Sequence, residues 1–323
     1  MRNSKNSLGK AVLKVLYMGI AMSLLLVQSC RQNKKEKQSE VPVAEPNPVI
    51  EIVTENMEFQ APDTIPSGWN TWRYINKSVQ PHFILIDHPV DSITVKEFEE
   101  ELLPPFGEGI TKLYEGKNEE AFAAFGKIPE WFGGTEWPGG VGLISPGHTA
   151  ETTLKLDPGY YIIECYVKMS NGMFHTNMGM FKPLIVSEEP STLKEPVGDI
   201  AVDISSEQGI VFNPPTKAGT YVFSVNYIDQ IKHEHFQGHD VNLVKIDEPA
   251  DMDSLEVWMN WLELKGLIDP APKGFTFLGG VNDMPAGNKG YFKITLTPGK
   301  YALISEVPKP ASKNMLKIFE ITE

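Results

Sequence analysis

Residues 154–167, LKLDPGYYIIECYV, recur without a gap as ITLTPGKYALISEV at 294–307. Each copy alternates apolar residues, turns at Pro-Gly and re-enters a strand led by tyrosine. Upstream, PGGVGLISPG (138–147) faces LGGVNDMPAG (278–287), and IPSGWNTWRYIN (65–76) faces TKAGTYVFSVN (216–226). Downstream, MFKPLIVSE (180–188) faces MLKIFEITE (315–323). A Pro-Gly turn alone is generic. Four blocks in the same order are not, and they define a duplication with copies at 50–188 and 199–323. Whatever the chain folds into must therefore be buildable twice.

Within each copy the local signals are strand-like. TWRYIN, HFILIDH, TTLKL, YYIIECYV and PLIVS are short runs rich in β-branched and aromatic residues, bounded by Gly, Pro, Asn and Asp. Several such strands per copy predict a mainly β chain of two antiparallel sandwiches. Each copy also carries a helical insertion at the same place: TVKEFEEELL (94–103) with NEEAFAAFG (118–126) in the first, DSLEVWMNWLELKG (253–266) in the second. The spacing of Trp258 and Trp261 reads as a helix face packed on the sandwich rather than a ligand site.

The N-terminus carries Arg2, Lys5, Lys10 and Lys14 with no acid, then the apolar run VLYMGIAMSLLLV. A basic leader and a short apolar run predict a secretory signal over 1–29. The run ends in LVQSC, which resembles a bacterial lipobox. That resemblance implies cleavage before Cys30 and lipidation at it, hence an envelope protein anchored to a membrane. Residues 30–49 follow as a charged, proline-bearing tether that cannot bury enough surface to order itself. Loss of residues 1–29 removes four positive charges, so the net charge falls from −13 to −17. Such acidity argues against a nucleic-acid partner, because binding phosphates requires basic residues to displace counterions.

With Cys30 assigned to the anchor, Cys165 stands alone. A single exported thiol is a candidate for metal binding or reactivity. The segments QPHFILID, DPGYYIIEC and HTNMGM together resemble the ligand-bearing strands of cupredoxins, the plastocyanin- and azurin-like Greek-key sandwiches. The resemblance implies two tandem cupredoxin-like domains. In the first, His82 and His175 would be imidazole ligands, Cys165 the thiolate and Met180 a weak axial thioether. Copper is then the expected cofactor, since that set is the blue-copper pattern. Its expected use is electron transfer or copper handling with a protein partner. In the second copy Cys165 corresponds to Ser305 and nothing replaces His175. Only His239 and Met315 stay in register, so that copy is expected to bind no copper tightly.

The spacing C-x9-H-x4-M is longer than in the familiar ligand loops. Within it, Asn171-Gly172 predicts a two-residue hairpin turn, which pairs Lys168 with His175 and Cys165 with Met178. Cys165 would then lie about 10 Å from the point opposite His175, on the other face of the strand. Either a bulge near Met173–Thr176 breaks this hairpin, or Cys165 and His175 share no metal. Three arrangements follow: the four-ligand site, a Cu(I) site of His175, Met178 and Met180 with His82, or a buried apolar thiol beside an ordinary hairpin. The last corresponds to a metal-free sandwich that binds an envelope component through its inserted helices. HEHFQGH adds a weaker second metal candidate at His233, His235 and His239. No nucleophile elbow, zincin pair, phosphate loop or dinucleotide fingerprint is present, so the sequence predicts no enzyme.

Overall fold

The computed structural model describes residues 49–234 and 238–323. The proposed signal, Cys30 and most of the tether lie outside the described residues, as does His235. Among the described residues, no helix is long and apolar enough to cross a membrane.

The fold is mainly β. The first half contributes β1 (Ile50–Thr54), β2 (Thr64–Asn76), β3 (His82–Asp87), β4 (Gly140–Ile144), β5 (Thr149–Leu156), β6 (Gly159–Glu164) and β7 (Phe181–Pro190). The second contributes β8 (Ile200–Ser205), β9 (Gly209–Phe212), β10 (Gly219–Tyr227), β11 (Val241–Ile246), β12 (Phe275–Val281), β13 (Lys289–Leu296), β14 (Gly299–Ile304) and β15 (Leu316–Ile321). They form two layers. One runs β1-β2-β5-β13-β10-β8-β9, the other β15-β14-β11-β12-β4-β3-β6-β7 and then the start of β2. Strand β2 serves both layers because it turns at Gly68, whose φ of 82° suits a residue without Cβ.

Alternation decides which side of each strand is buried. In β2 the residues Trp72 and Tyr74 are fully buried while the neighbouring Thr71 and Arg73 are not. Most buried apolar residues of both halves join in one core that includes Trp72, Ile84, Phe223 and Phe277, and a smaller cluster of Phe98, Leu102, Leu103 and Ile162 lies under the first helical insertion. The described residues pack as one unit.

The ladders of the two halves run in matching register. Leu85 pairs with Glu164 and Gly140 in the first half; Asn242 pairs with Ile304 and Gly280 in the second. Gly68 pairs with Leu156, and Gly219 with Leu296. The halves are stitched together twice, each time by corresponding strands. Val141 of β4 faces Val281 of β12, and Thr152 of β5 faces Phe292 of β13. In both pairs the partners are 140 residues apart (281 less 141, and 292 less 152). Antiparallel pairing of corresponding strands gives each seam a local two-fold character. Buried polar groups close the seam: Asn242 Oδ1 accepts from Leu143 N at 2.8 Å, and Thr152 Oγ1 donates to Gly280 O at 2.8 Å.

The helical insertions connect corresponding strands, β3 to β4 in the first half and β11 to β12 in the second. Between β3 and β4 the chain forms helical turns over Val95–Glu97 and Phe98–Leu102, then α1 (Leu103–Tyr114) and α2 (Asn118–Phe125). The start is a capping box: Thr94 accepts from Lys96 N, and Glu97 accepts from Thr94 N. Between β11 and β12 lies the shorter α3 (Met252–Trp258). Trp258 and Trp261 are both buried, but the helix ends at Trp258, short of the expected 253–266, and Trp261 is placed by the turns that follow rather than by a helix face.

Candidate metal centre

His82 opens β3, its backbone fixed by pairing with Ile144 of β4. Cys165 follows the last residue of β6, and its amide donates to Met180 O at 3.2 Å. His175 lies on the return of the loop. The loop does not form the two-residue turn that Asn171-Gly172 suggested. Asn171 Oδ1 accepts from Met173 N, Gly172 takes φ 87°, and Met169 N bonds Met173 O. Three residues therefore make the turn, and Lys168 faces Phe174 instead of His175. This one-residue slip exchanges the faces of the returning strand.

A second irregularity follows. Thr176–Met178 wind into a 3-10 turn that ends at Gly179, with φ 97°. The ladder then resumes with Cys165 opposite Met180 rather than Met178. Of the two alternatives left open by the spacing, the structure takes the broken hairpin. The long loop is a short outward excursion that returns the chain to where it left. The excursion is anchored at its base. Lys168, fully buried, donates from Nζ to Trp261 O and Glu263 O at 2.8 Å each, while its backbone bonds Leu267 O and Asp269 N. Lys168→Met strands two carbonyls and is expected to cost about 2 kcal/mol. Amide exchange at Lys168 and Asp269 should accelerate well before global unfolding.

These two irregularities bring His82, Cys165 and His175 together. All three are fully buried, and their ligand atoms lie within 4.8 Å of one another. Cys165 Sγ is 3.6 Å from His82 Nδ1 and 3.8 Å from His175 Nδ1. Metal–sulfur and metal–nitrogen bonds of about 2.3 and 2.0 Å, meeting near 120°, would separate sulfur from nitrogen by about 3.7 Å. The gap thus has the size of a trigonal ion site. Each Nε2 is buried without a hydrogen-bond partner among the described residues, so no acceptor on the chain fixes the tautomer that leaves the Nδ1 lone pair for an ion.

Burial lowers the pKa of His82 to about 3, with the field of His175 adding to it, and lowers that of His175 to about 4. Both rings are neutral at physiological pH and ready to donate. Burial pushes the Cys165 thiol up to about 12, so it keeps its proton until something displaces it. Met180 is fully buried, and its amide bonds His175 O at 3.0 Å. Met178 stands apart at the surface, 55% exposed.

The second half has the same backbone plan with other side chains. Ser305 N bonds Met315 O and Met315 N bonds Pro310 O, as Cys165 bonds Met180 and Met180 bonds His175. Pro310 thus takes the place of His175. The Ser305 hydroxyl donates to Asp240 Oδ1 at 2.9 Å. His239 is buried with Nε2 at 2.9 Å from His233 Nε2 and Nδ1 at 3.6 Å from Asp229. Among the described residues these two histidines form a pair without a third gathered ligand.

Sequence reasoning missed a buried carboxyl pair beside the site. Burial raises the pKa of Glu164 to about 7; burial and then Glu164 raise that of Asp87, whose Oδ1 accepts from Trp137 Nε1 at 2.8 Å. The signal available was position: Asp87 and Glu164 each end an apolar run, Phe83–Ile86 and Tyr161–Ile163, in strands buried throughout that stretch.

No family model and no curated protein matches the chain. Among solved structures it is similar to reduced auracyanin from Roseiflexus castenholzii, at 21% identity over 43% of this chain and 96% of that one, TM-score 0.26. It is similar also to the blue copper oxidase of Nitrosomonas europaea (14% identity, 84% of this chain and 85% of that one, TM-score 0.22). A copper-containing nitrite reductase from Thermus scotoductus follows at 13% identity, 85% and 61% coverage and TM-score 0.22. At these scores the likenesses assign no activity. They do correct the expectation of no enzyme, because an oxidase and a reductase stand among the similar structures. The physical reason is that redox catalysis at a metal needs none of the nucleophile or phosphate-loop motifs whose absence suggested it.

Proposed function

We propose that His82, Cys165 and His175 hold one copper ion, with Met180 as a weak axial ligand, in a lipid-anchored protein of the bacterial envelope. The observation that carries this reading is the pair of Nδ1 atoms at 3.6 and 3.8 Å from one buried thiol. Thiolate suits Cu(I), imidazole suits both oxidation states, and the bound ion would supply one-electron chemistry. The chain's own part is to keep three donors fixed on β-sheet and in the dark of the core, where water cannot replace them. Electrons or copper would pass to a protein partner. The copies at 50–188 and 199–323 divide the work: the first carries the ion, and the second, with Ser305 and Pro310 at ligand positions, supports it. Anchoring rests on the basic leader and the LVQSC segment ending at Cys30.

Titration of the protein with Cu(II), and separately with Cu(I), tests the assignment. One equivalent should bind tightly, and the Cu(II) form should show an intense visible charge-transfer band. Binding of several weak equivalents without a band would defeat it. The pH dependence is also specified. Both histidines are already neutral above about pH 5, whereas the thiol must lose its proton to bind. One proton is therefore released per ion, and affinity should rise about tenfold per pH unit between about pH 5 and 9. Calorimetry in buffers of different ionisation enthalpy counts that proton. A count of zero would place the metal away from Cys165.

A further inference from the structure

The segment HEHFQGH (233–239) carries histidines that the first half's copper assignment leaves unused. His239 holds the place in the second half that His82 holds in the first: each stands three residues before the matched ladder positions Asn242 and Leu85. Ser305, at the thiolate's position, spends its hydroxyl on Asp240, so the ring of His239 finds its partner elsewhere. That partner is His233, with the two Nε2 atoms 2.9 Å apart and the ring planes inclined at 42°.

Residues 229–233 address His239 at three points. Gln230 grips its backbone, Oε1 accepting from His239 N at 2.6 Å and Nε2 donating to His239 O at 3.0 Å. Asp229 faces the ring: its Oδ1 lies 3.6 Å from His239 Nδ1, and its carboxylate and backbone both favour a proton on the imidazole. Asp229 is itself held, accepting from Ser206 N at 2.8 Å and Ser206 Oγ at 2.7 Å. A carboxylate behind a histidine fixes its tautomer, here with the proton on Nδ1 and the lone pair on Nε2. The third contact is His233 Nε2, which meets that lone pair. His239 is fully buried and His233 half-buried, so one imidazole is rigid and the other opens to solvent.

Without an ion, His233 donates its Nε2 proton to His239. The same spacing suits a metal of one geometry. Two imidazoles about 2.0 Å from an ion lie about 2.8 Å apart when they meet it at 90°, and about 3.3 Å apart at the tetrahedral angle. The observed 2.9 Å fits the right angle. Cu(II) and Ni(II) take imidazole in tetragonal sites, and Cu(II) binds the more tightly of the two. Burial lowers the pKa of both rings, so neither charge opposes an incoming cation. Lys313, the cation nearby, is engaged by Pro308 O and stands 4.0 Å from Glu234.

We propose that His233 and His239 bind one Cu(II) ion through their Nε2 atoms, with water filling its remaining positions. On binding, the proton leaves Nε2 of His233 and Nδ1 of the same ring takes one from solvent, so the ring stays neutral. The site offers no sulfur and therefore selects Cu(II) over Cu(I), the reverse of a thiolate site. It shares no ligand with His82, Cys165 and His175 and stands whether or not they hold copper.

Cu(II) alone is the probe, titrated into the intact protein against a competing chelator, with electron paramagnetic resonance to count and type the bound ions. The native protein should take one equivalent with a tetragonal, nitrogen-ligated signal and no intense visible band. His233→Ala should weaken that equivalent at least about tenfold, and His239→Gln should do the same, with the thermal transition confirming that each variant is folded. If His239→Gln unfolds, the half-buried position 233 decides alone. An ion at Cys165 is read apart by its visible band, so the failure of that assignment leaves this count unchanged. A native protein without the tetragonal equivalent overturns the proposal. So does a folded His233→Ala or His239→Gln variant that keeps it at native affinity.

Discussion

Cys165→Ser is expected to abolish the visible charge-transfer band and weaken copper binding by at least about 1000-fold, roughly 4 kcal/mol. A neutral hydroxyl is a poor donor to Cu(I), and the two imidazoles and weak thioether that remain lack the charged sulfur that holds the ion. The fold should survive. The side chain is fully buried, but serine is smaller by little and can donate to either Nδ1, which stand 3.6 and 3.8 Å from the present sulfur. The chain already contains the experiment in its second half, where Ser305 occupies the matching place and spends its hydroxyl on Asp240. Visible spectra and competitive Cu(I) titration with a chromogenic chelator are the measurements. Tight binding that persists in the serine variant would move the site to the methionines, with exposed Met178 the first to examine.

Gly140→Ala is expected to have a large effect on stability. Gly140 has φ 155°, and a Cβ there would fall 1.9 Å from the carbonyl oxygen of Ile84. That contact is with backbone and cannot be relieved by a rotamer change. Strand β3 would have to move away from β4, and with it His82. The loss should be about 3 kcal/mol or more, a fall in Tm on the order of 10 °C for a chain of this size. Gly280 repeats the geometry at φ 150° and 1.9 Å from Val241 O, so Gly280→Ala should behave alike. Gly147→Ala is the control. Its φ is 74° with nothing within 4 Å of the built Cβ, and only the conformational cost of about 1 kcal/mol applies. Chemical denaturation compares the three. Equal losses would show that close approach is not what these glycines provide.

Much of this was legible in the chain. The Gly-Gly-Val blocks, 139–141 and 279–281, were matched by order alone, and they sit at corresponding ladder positions with Val141 facing Val281. The Pro-Gly-x-Tyr blocks, 158–161 and 298–301, fell at the starts of β6 and β14. What was not legible is how the ligand loop closes. Asn171-Gly172 is compatible with turns of two or three residues, and local propensity does not choose between them. The choice is made by Lys168, whose ammonium is held by carbonyls nearly a hundred residues away. The 3-10 turn at Thr176–Met178 adds a shift that no period-2 pattern contains. The ring-to-ring packing of Phe106, Phe174 and Trp261 was hidden for a similar reason: they belong to three separate segments, each of which reads as ordinary core.

The double seam also governs the order in which the molecule can be completed. A chain made from its N-terminus has β4 and β5 long before β12 and β13 exist. Until residues 275–296 arrive, each of those strands ends in a row of unsatisfied amides and carbonyls, open to any other strand nearby. Residues 1–190 carry 17 Lys and Arg against 24 Asp and Glu, and this net charge of −7 keeps such half-made chains apart by repulsion. The interval before closure is when this protein is most exposed to aggregation, and slowing synthesis between residues 190 and 275 would lengthen it.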